Sequence, residues 1–200
     1  MMHFILLRGL AREAGHWLEF PDTLRQQLDA DCQIHCIDFP GCGAYCTSPA
    51  LNSISAMTDH ARRESSLHSG LPFPHPLYLV GISMGGMVAL DWAHRFPQEV
   101  QGLVLINTSA GDQPFWWRLR PGAWLTMVLA MLLSPDQREA WVLRKVSNRP
   151  IDYQQRHQQW RAIQRQHPIT RATIVTMLSA AAAFKPRLQL QQNGLILCSK

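Results

Sequence analysis

Along the first 110 residues, short continuous apolar runs alternate with stretches whose apolar residues recur every three to four positions. His3 to Leu7 is the first run and stops at Arg8-Gly9-Leu10. Gln33 to Asp38 is the second, closed by Asp38-Phe39-Pro40-Gly41-Cys42-Gly43. Leu77-Tyr78-Leu79-Val80 and Gly102 to Asn107 are the third and fourth. Each is too short for a helix and apolar on both sides of any pleat, as expected of strands buried on both faces. Between them, Pro21 to Ala30 has Pro at its start with Leu24 and Leu28 four apart, which predicts a helix. Ser53 to about Leu67, with Ile54, Met57, Ala61 and Leu67 at helical spacing, predicts a second, ended by Gly70. Met87 to Arg95 predicts a third, stopping before Phe96-Pro97. Strand and helix therefore alternate, and the expected architecture is an α/β, doubly wound, mainly parallel sheet of about five strands.

The pattern changes near residue 110. Residues 113–187 hold no strand-like run and five of the seven tryptophans. Trp124 to Leu133 is apolar all round but only about ten residues long, too short to span a bilayer. A buried helix and a helix lying in a membrane interface both fit it. Pro135 to Val146, Tyr153 to Gln166 and Ile169 to Phe184 predict three further helices. Leu195-Ile196-Leu197-Cys198, after Gly194, returns to a fifth apolar strand. The chain thus divides into a core over 1–110, a helical insertion over 111–187 and a return to the core over 188–200.

Charge follows the same division. Residues 1–112 carry six Lys/Arg against eleven Asp/Glu, and residues 113–187 twelve against three, so the formal +5 belongs to the insertion. No recognition motif for nucleic acid accompanies it. Those arginines either attract an anionic substrate or membrane surface, or solvate helix faces. The five cysteines are odd in number. Cys32, Cys36, Cys42 and Cys46 are spaced by three, five and three residues rather than as C-x2-C, so no metal is expected. The opening Met1 to Leu7 is too short for a signal segment, which leaves a reduced, cytoplasmic setting.

The candidate chemistry sits at Gly81-Ile82-Ser83-Met84-Gly85-Gly86, a G-x-S-x-G turn between an apolar strand and an amphipathic helix. Small residues on both sides let the turn tighten until a serine hydroxyl stands clear of the backbone. The helix that follows directs its free N–H groups at negative charge forming there. The alternative is an ordinary strand-to-helix turn of a dinucleotide-binding domain. As a nucleophile, Ser83 needs a base and an oxyanion hole. The hole's donors would be the N–H of Met84 and that of Leu10, where Gly9-Leu10 lets the backbone approach. No cofactor is implied.

Arg8-Gly9-Leu10 with Trp17, Asp38 to Gly43, Gly81 to Gly86 and Gly102 to Asn107 resemble, in order and spacing, α/β-hydrolases of the alpha/beta hydrolase-1 type. The resemblance covers most of residues 1–110 and implies a serine hydrolase of carboxylic esters or thioesters. It makes residues 111–187 a cap over the site. Trp17, Trp116, Trp117 and Trp124 would then line an apolar pocket for a small ester-like substrate, or the cap tryptophans would form the cap's own core. In the family the triad acid follows the strand corresponding to Leu195–Cys198, and the histidine comes later. This chain stops at Lys200, so both positions are missing and little turnover is expected. Asp112, just beyond the fourth strand, is where some relatives carry the acid. Among the histidines, His94, His157 and His167 are expected at solvated surfaces, His16 against Trp17 and Arg12, and His35 in a strand; none is a persuasive base. The same framework also supports C–C hydrolase, lyase and haloperoxidase chemistry, and a non-catalytic remnant binding an apolar ligand or partner is the rival from another class.

Overall fold

The computed structural model describes residues 2–28, 32–69, 77–108, 132–146, 152–185 and 192–197. Five strands, β1 (Met2–Leu7), β2 (Cys32–Ile37), β3 (Leu77–Ile82), β4 (Val100–Ile106) and β5 (Asn193–Leu197), form one sheet in the order β2-β1-β3-β4-β5. Every pair is parallel. The first four apolar runs thus became strands with ends shifted by one or two residues.

Parallel strands need crossovers, and helices α1 (Phe20–Gln27), α2 (Ile54–Ser69) and α3 (Met84–Arg95) supply them. The chain leaves β1 for one neighbour, β2, and returns past it to the other, β3. Right-handed crossovers then put α1 on one face and α2 and α3 on the other. Alternation along the strands sorts the core accordingly. Ile5, Leu7, Leu79, Leu103 and Leu105 pack under Met57, Ala61, Val88 and Trp92 of α2 and α3. Leu6 and Val80, with Phe4, Ile34, Ile82 and Val104, face Leu24 of α1 and Trp17. The reversal between β1 and β3 leaves their carboxyl ends diverging, which opens the crevice where ligands of such sheets bind.

Three later helices, α4 (Pro135–Val146), α5 (Tyr153–Gln166) and α6 (Arg171–Ala183), follow the predicted spans closely. Asp152 caps α5 by accepting from Gln155 N–H at 3.0 Å, and Thr170 caps α6 through Thr173 N–H at 3.0 Å. Ile174, Met177 and Ala181 of α6 join the main core. Among the described strands β2 and β5 are the edges, and Leu195, Ile196 and Leu197 of β5 are exposed at 53%, 66% and 45%. Among the described residues, no helix is long and apolar enough to cross a membrane.

Candidate active site

Backbone strain concentrates at the carboxyl edge of the sheet. The non-glycine residues with positive φ among those described are Ala11 and Leu18 after β1, Ser83 after β3 and Asn107 after β4. Such conformations cost on the order of 1–3 kcal/mol each and persist only where their surroundings enforce them. Ser83 has φ 53° and ψ −116° and is exposed. Its N–H donates to Ile106 O at 2.9 Å, which ties the strained residue to β4. Its carbonyl accepts from Gly86 N–H at 3.0 Å and Met87 N–H at 3.3 Å. Helix α3 therefore begins at Met84, three residues before the expected Met87, and its uncapped first N–H groups lie at the serine.

Close approach explains the glycines. A Cβ on Gly81 would lie 2.5 Å from Gly86 Cα, and one on Gly85 would lie 2.1 Å from Leu7 O and 2.6 Å from Arg8 O. The first turn of α3 is thus pressed against the end of β1. From the other side Gly9 meets the serine, since a Cβ there would stand 3.2 Å from Ser83 Cβ and 3.7 Å from its Oγ. Leu10 is the next residue, half-buried against the core.

The Asp38 turn is a brace between two loops. Asp38 Oδ1 accepts from Ala14 N–H at 2.6 Å and Oδ2 from Ala44 N–H at 3.0 Å, joining the segments after β1 and β2. Gly43 has φ 52°, and a Cβ there would lie 2.1 Å from Asp38 Oδ2, so the carboxylate leaves room only for glycine. Replacing Asp38 by alanine should cost about 2 kcal/mol, with Asp38→Asn between the two, as measured by urea denaturation.

Four histidines are committed elsewhere. His16 lies beside Arg12, with Nε2 3.1 Å from the guanidinium, and its ring meets the edge of Trp160 at 5.3 Å rather than Trp17. Burial, with Arg12 and Arg8 nearby, pushes His16 down to about 2, so it stays neutral and cannot take a proton near pH 7. His60 Nε2 lies 2.9 Å from Asp38 O. His157 is half-buried, 3.4 Å from Asp136 O and stacked on Tyr153. His167, expected at a solvated surface, is instead 27% exposed and holds Glu13 at 2.9 Å from Nδ1. The end of α5 turns its ring back onto a buried carboxylate that residues 1–20 alone could not have revealed. His94 is exposed, as expected, and His35 stacks on His3 at 5.9 Å.

Burial also pushes the Glu13 carboxyl above its usual 4.5, against the opposing pull of His167 and with Asp38 adding to the rise. A folded-state value above the unfolded one gives a contribution that is full below about pH 4.5 and is lost as pH rises through the raised value. Glu13→Gln should therefore gain stability relative to the parent chain between about pH 4 and pH 7, read from paired denaturation curves.

Trp17 is packed inside, against Leu6 and Val80, stacked on Phe20 at 5.2 Å and overlaid by Arg8 at 4.9 Å. Burial and the nearby Arg12 pull Arg8 down to about 10. Cys36 and Cys42 are pushed up by burial to about 11 and about 12, which keeps both thiols protonated and inert. Among the described residues, no three His, Cys, Asp or Glu gather as a metal site would require. Trp116, Trp117, Trp124 and Asp112 lie outside the described residues.

Residues 4–198 match the model of the alpha/beta hydrolase family. A pimeloyl-[acyl-carrier protein] methyl ester esterase of Chromobacterium violaceum is 39% identical over 105 residues, 52% of this chain and 36% of its own length. The match thus spans little more than a third of that relative. A hydrolase from Pseudomonas aeruginosa superposes with a TM-score of 0.66 at 20% identity, covering 98% of this chain and 70% of that one. An esterase from Thermogutta terrifontis gives 0.63 at 19%, covering 99% and 71%. At these identities, the two structures attest the fold alone.

Proposed function

We propose that this chain, which belongs to the alpha/beta hydrolase family, is built to hydrolyse carboxylic esters or thioesters through an acyl intermediate on Ser83. The observation that carries the reading is Ser83 itself, exposed at φ 53° between Gly9 and the start of α3. Ser83 Oγ attacks the substrate carbonyl and loses its proton, and the alcohol or thiol leaves with a proton. Water then cleaves the acyl–serine bond, releasing the acid and restoring the hydroxyl. Met84 N–H and Leu10 N–H would hold the oxyanion, which in enzymes of this kind contributes about 2.7–4 kcal/mol per donor. Among the described residues, the contacts of His16, His60, His157 and His167 run to Arg12, Asp38 O, Asp136 O and Glu13, and none of them reaches Ser83.

Residues 111–187 act as a cap in this reading. Support comes from α6, whose Thr173 Cγ2 would lie 2.8 Å from a Cβ on Gly41 and whose Met177 Sδ is 3.9 Å from Cys42 Sγ, over the carboxyl edge of the sheet. Trp116, Trp117 and Trp124 would supply an apolar lining, and the substrate class is a small apolar ester. The methyl ester esterase relative is consistent with that class. Unpaired Cys32, Cys36, Cys42 and Cys46 suit a reducing, cytoplasmic setting. A non-catalytic role in binding an apolar partner has one observation in its favour, the exposed Leu195, Ile196 and Leu197 of β5. A fluorophosphonate probe separates the two: covalent capture at Ser83 supports hydrolysis, and an intact, unlabelled but folded chain supports binding.

A further inference from the structure

The loop from Gly9 to Glu19 carries the proposed oxyanion donor and, among the described residues, the pairs Arg12–Glu139, Glu13–His167 and Glu19–Arg156 that join core and insertion. Arg12 N–H donates to Gly9 O at 3.2 Å, closing a turn whose central residues are Leu10 and Ala11. Ala11 has φ 52°, the positive value that the third position of a type II turn requires and that alanine adopts at a cost of about 1–2 kcal/mol. The turn is held locally by that hydrogen bond and by Leu10 and Ala11 packing on the main core. The side chain of Arg12, in addition, is gripped by the insertion. Its guanidinium pairs with Glu139 of α4 and lies 4.5 Å over the ring of Trp160 on α5, with the Arg12 and Glu139 side chains only 12% and 4% exposed. His16 of the same loop meets the edge of Trp160, and Gly15 lies against Ile163.

We infer that Arg12 is a positioning residue, through which Glu139 and Trp160 of the insertion clamp the strained Gly9–Arg12 turn and aim Leu10 N–H at Ser83. Docking of α4 and α5 and alignment of the oxyanion donor then become one event. A buried ion pair adds little to net stability compared with apolar side chains of similar volume, so its retention here fits a role in geometry. The inference rests on the proposed function for its catalytic consequence, whereas the clamp itself stands on the turn alone.

Removing Glu139 by itself strands a buried guanidinium and risks unfolding. The informative variant is therefore Arg12→Met/Glu139→Met, which replaces the pair with apolar groups of similar length, and Arg12→Lys serves as the conservative comparison. The clamp predicts a folded double variant in which the amides of residues 9–12 exchange with deuterium at least about tenfold faster than in the parent, while those of β3 are unchanged. It further predicts that the rate of phosphonylation of Ser83 falls about tenfold or more, because a donor is misaligned rather than deleted. Arg12→Lys should recover part of both. Unaltered exchange of residues 9–12 in the folded double variant overturns the clamp. If the parent chain is not labelled at all, the nucleophile reading fails, and the exchange data alone uphold or overturn the clamp.

Discussion

Ser83→Gly is expected to raise stability by about 1 kcal/mol while abolishing covalent capture by a fluorophosphonate. Ser83 holds φ 53° and ψ −116°, a conformation that glycine adopts without strain. Relief of roughly 1–3 kcal/mol is partly offset by the roughly 0.5–1 kcal/mol that glycine loses in chain entropy. Ser83→Ala keeps a Cβ in the same conformation, so it should lose labelling with almost no gain in stability. Urea midpoints of the two variants, compared at equal slope, isolate the strain from the loss of the hydroxyl. Equal stability of the glycine and alanine variants would mean that the turn is not strained at Ser83. An opposed change in stability and reactivity at one residue is what a functional site built on backbone strain should give.

Gly85→Ala should be the most damaging single methyl in the described core. Its Cβ would sit 2.1 Å from Leu7 O and 2.5 Å from Leu7 C. Both are backbone atoms of a central strand bonded to β2 and β3, so no side-chain rotation makes room. Helix α3 would have to lift from the end of β1 and take Ser83 with it. A loss of about 4 kcal/mol is expected, on the order of 10 °C in Tm for a domain of this size, with labelling of Ser83 lost in whatever folds. Circular dichroism melts check it. Gly9→Ala is a milder neighbour, because its nearest contacts are at 3.2 Å.

The sheet is legible because buried parallel strands write themselves as unbroken apolar runs, and all five strands are readable without tertiary information. The serine turn was legible for a related reason, since close packing admits only glycine at Gly81 and Gly85, and glycines are visible in a sequence. The start of α3 was misplaced because Met84-Gly85-Gly86 is a poor helix former; its helical turn is imposed by the packing against β1. The strained residues of the β1 loop left no sign at all. Ala11 and Leu18 occupy positive φ without being glycine or asparagine, and part of what holds Ala11's turn lies far along the chain. Glu139 is 127 residues from Arg12, and His167 is 154 from Glu13. Of the two neighbours expected for His16, Arg12 does lie beside it, but the ring that meets it belongs to Trp160, 144 residues on, rather than to Trp17.

Ser83 as the nucleophile is the claim on which the proposed hydrolysis stands. Its most direct test is to treat the 200-residue chain with a fluorophosphonate, weigh the intact product and map the adduct by peptide mass analysis. A single adduct is expected, on Ser83 and absent from Ser83→Ala. An adduct on any other residue, or the same adduct in Ser83→Ala, contradicts the claim.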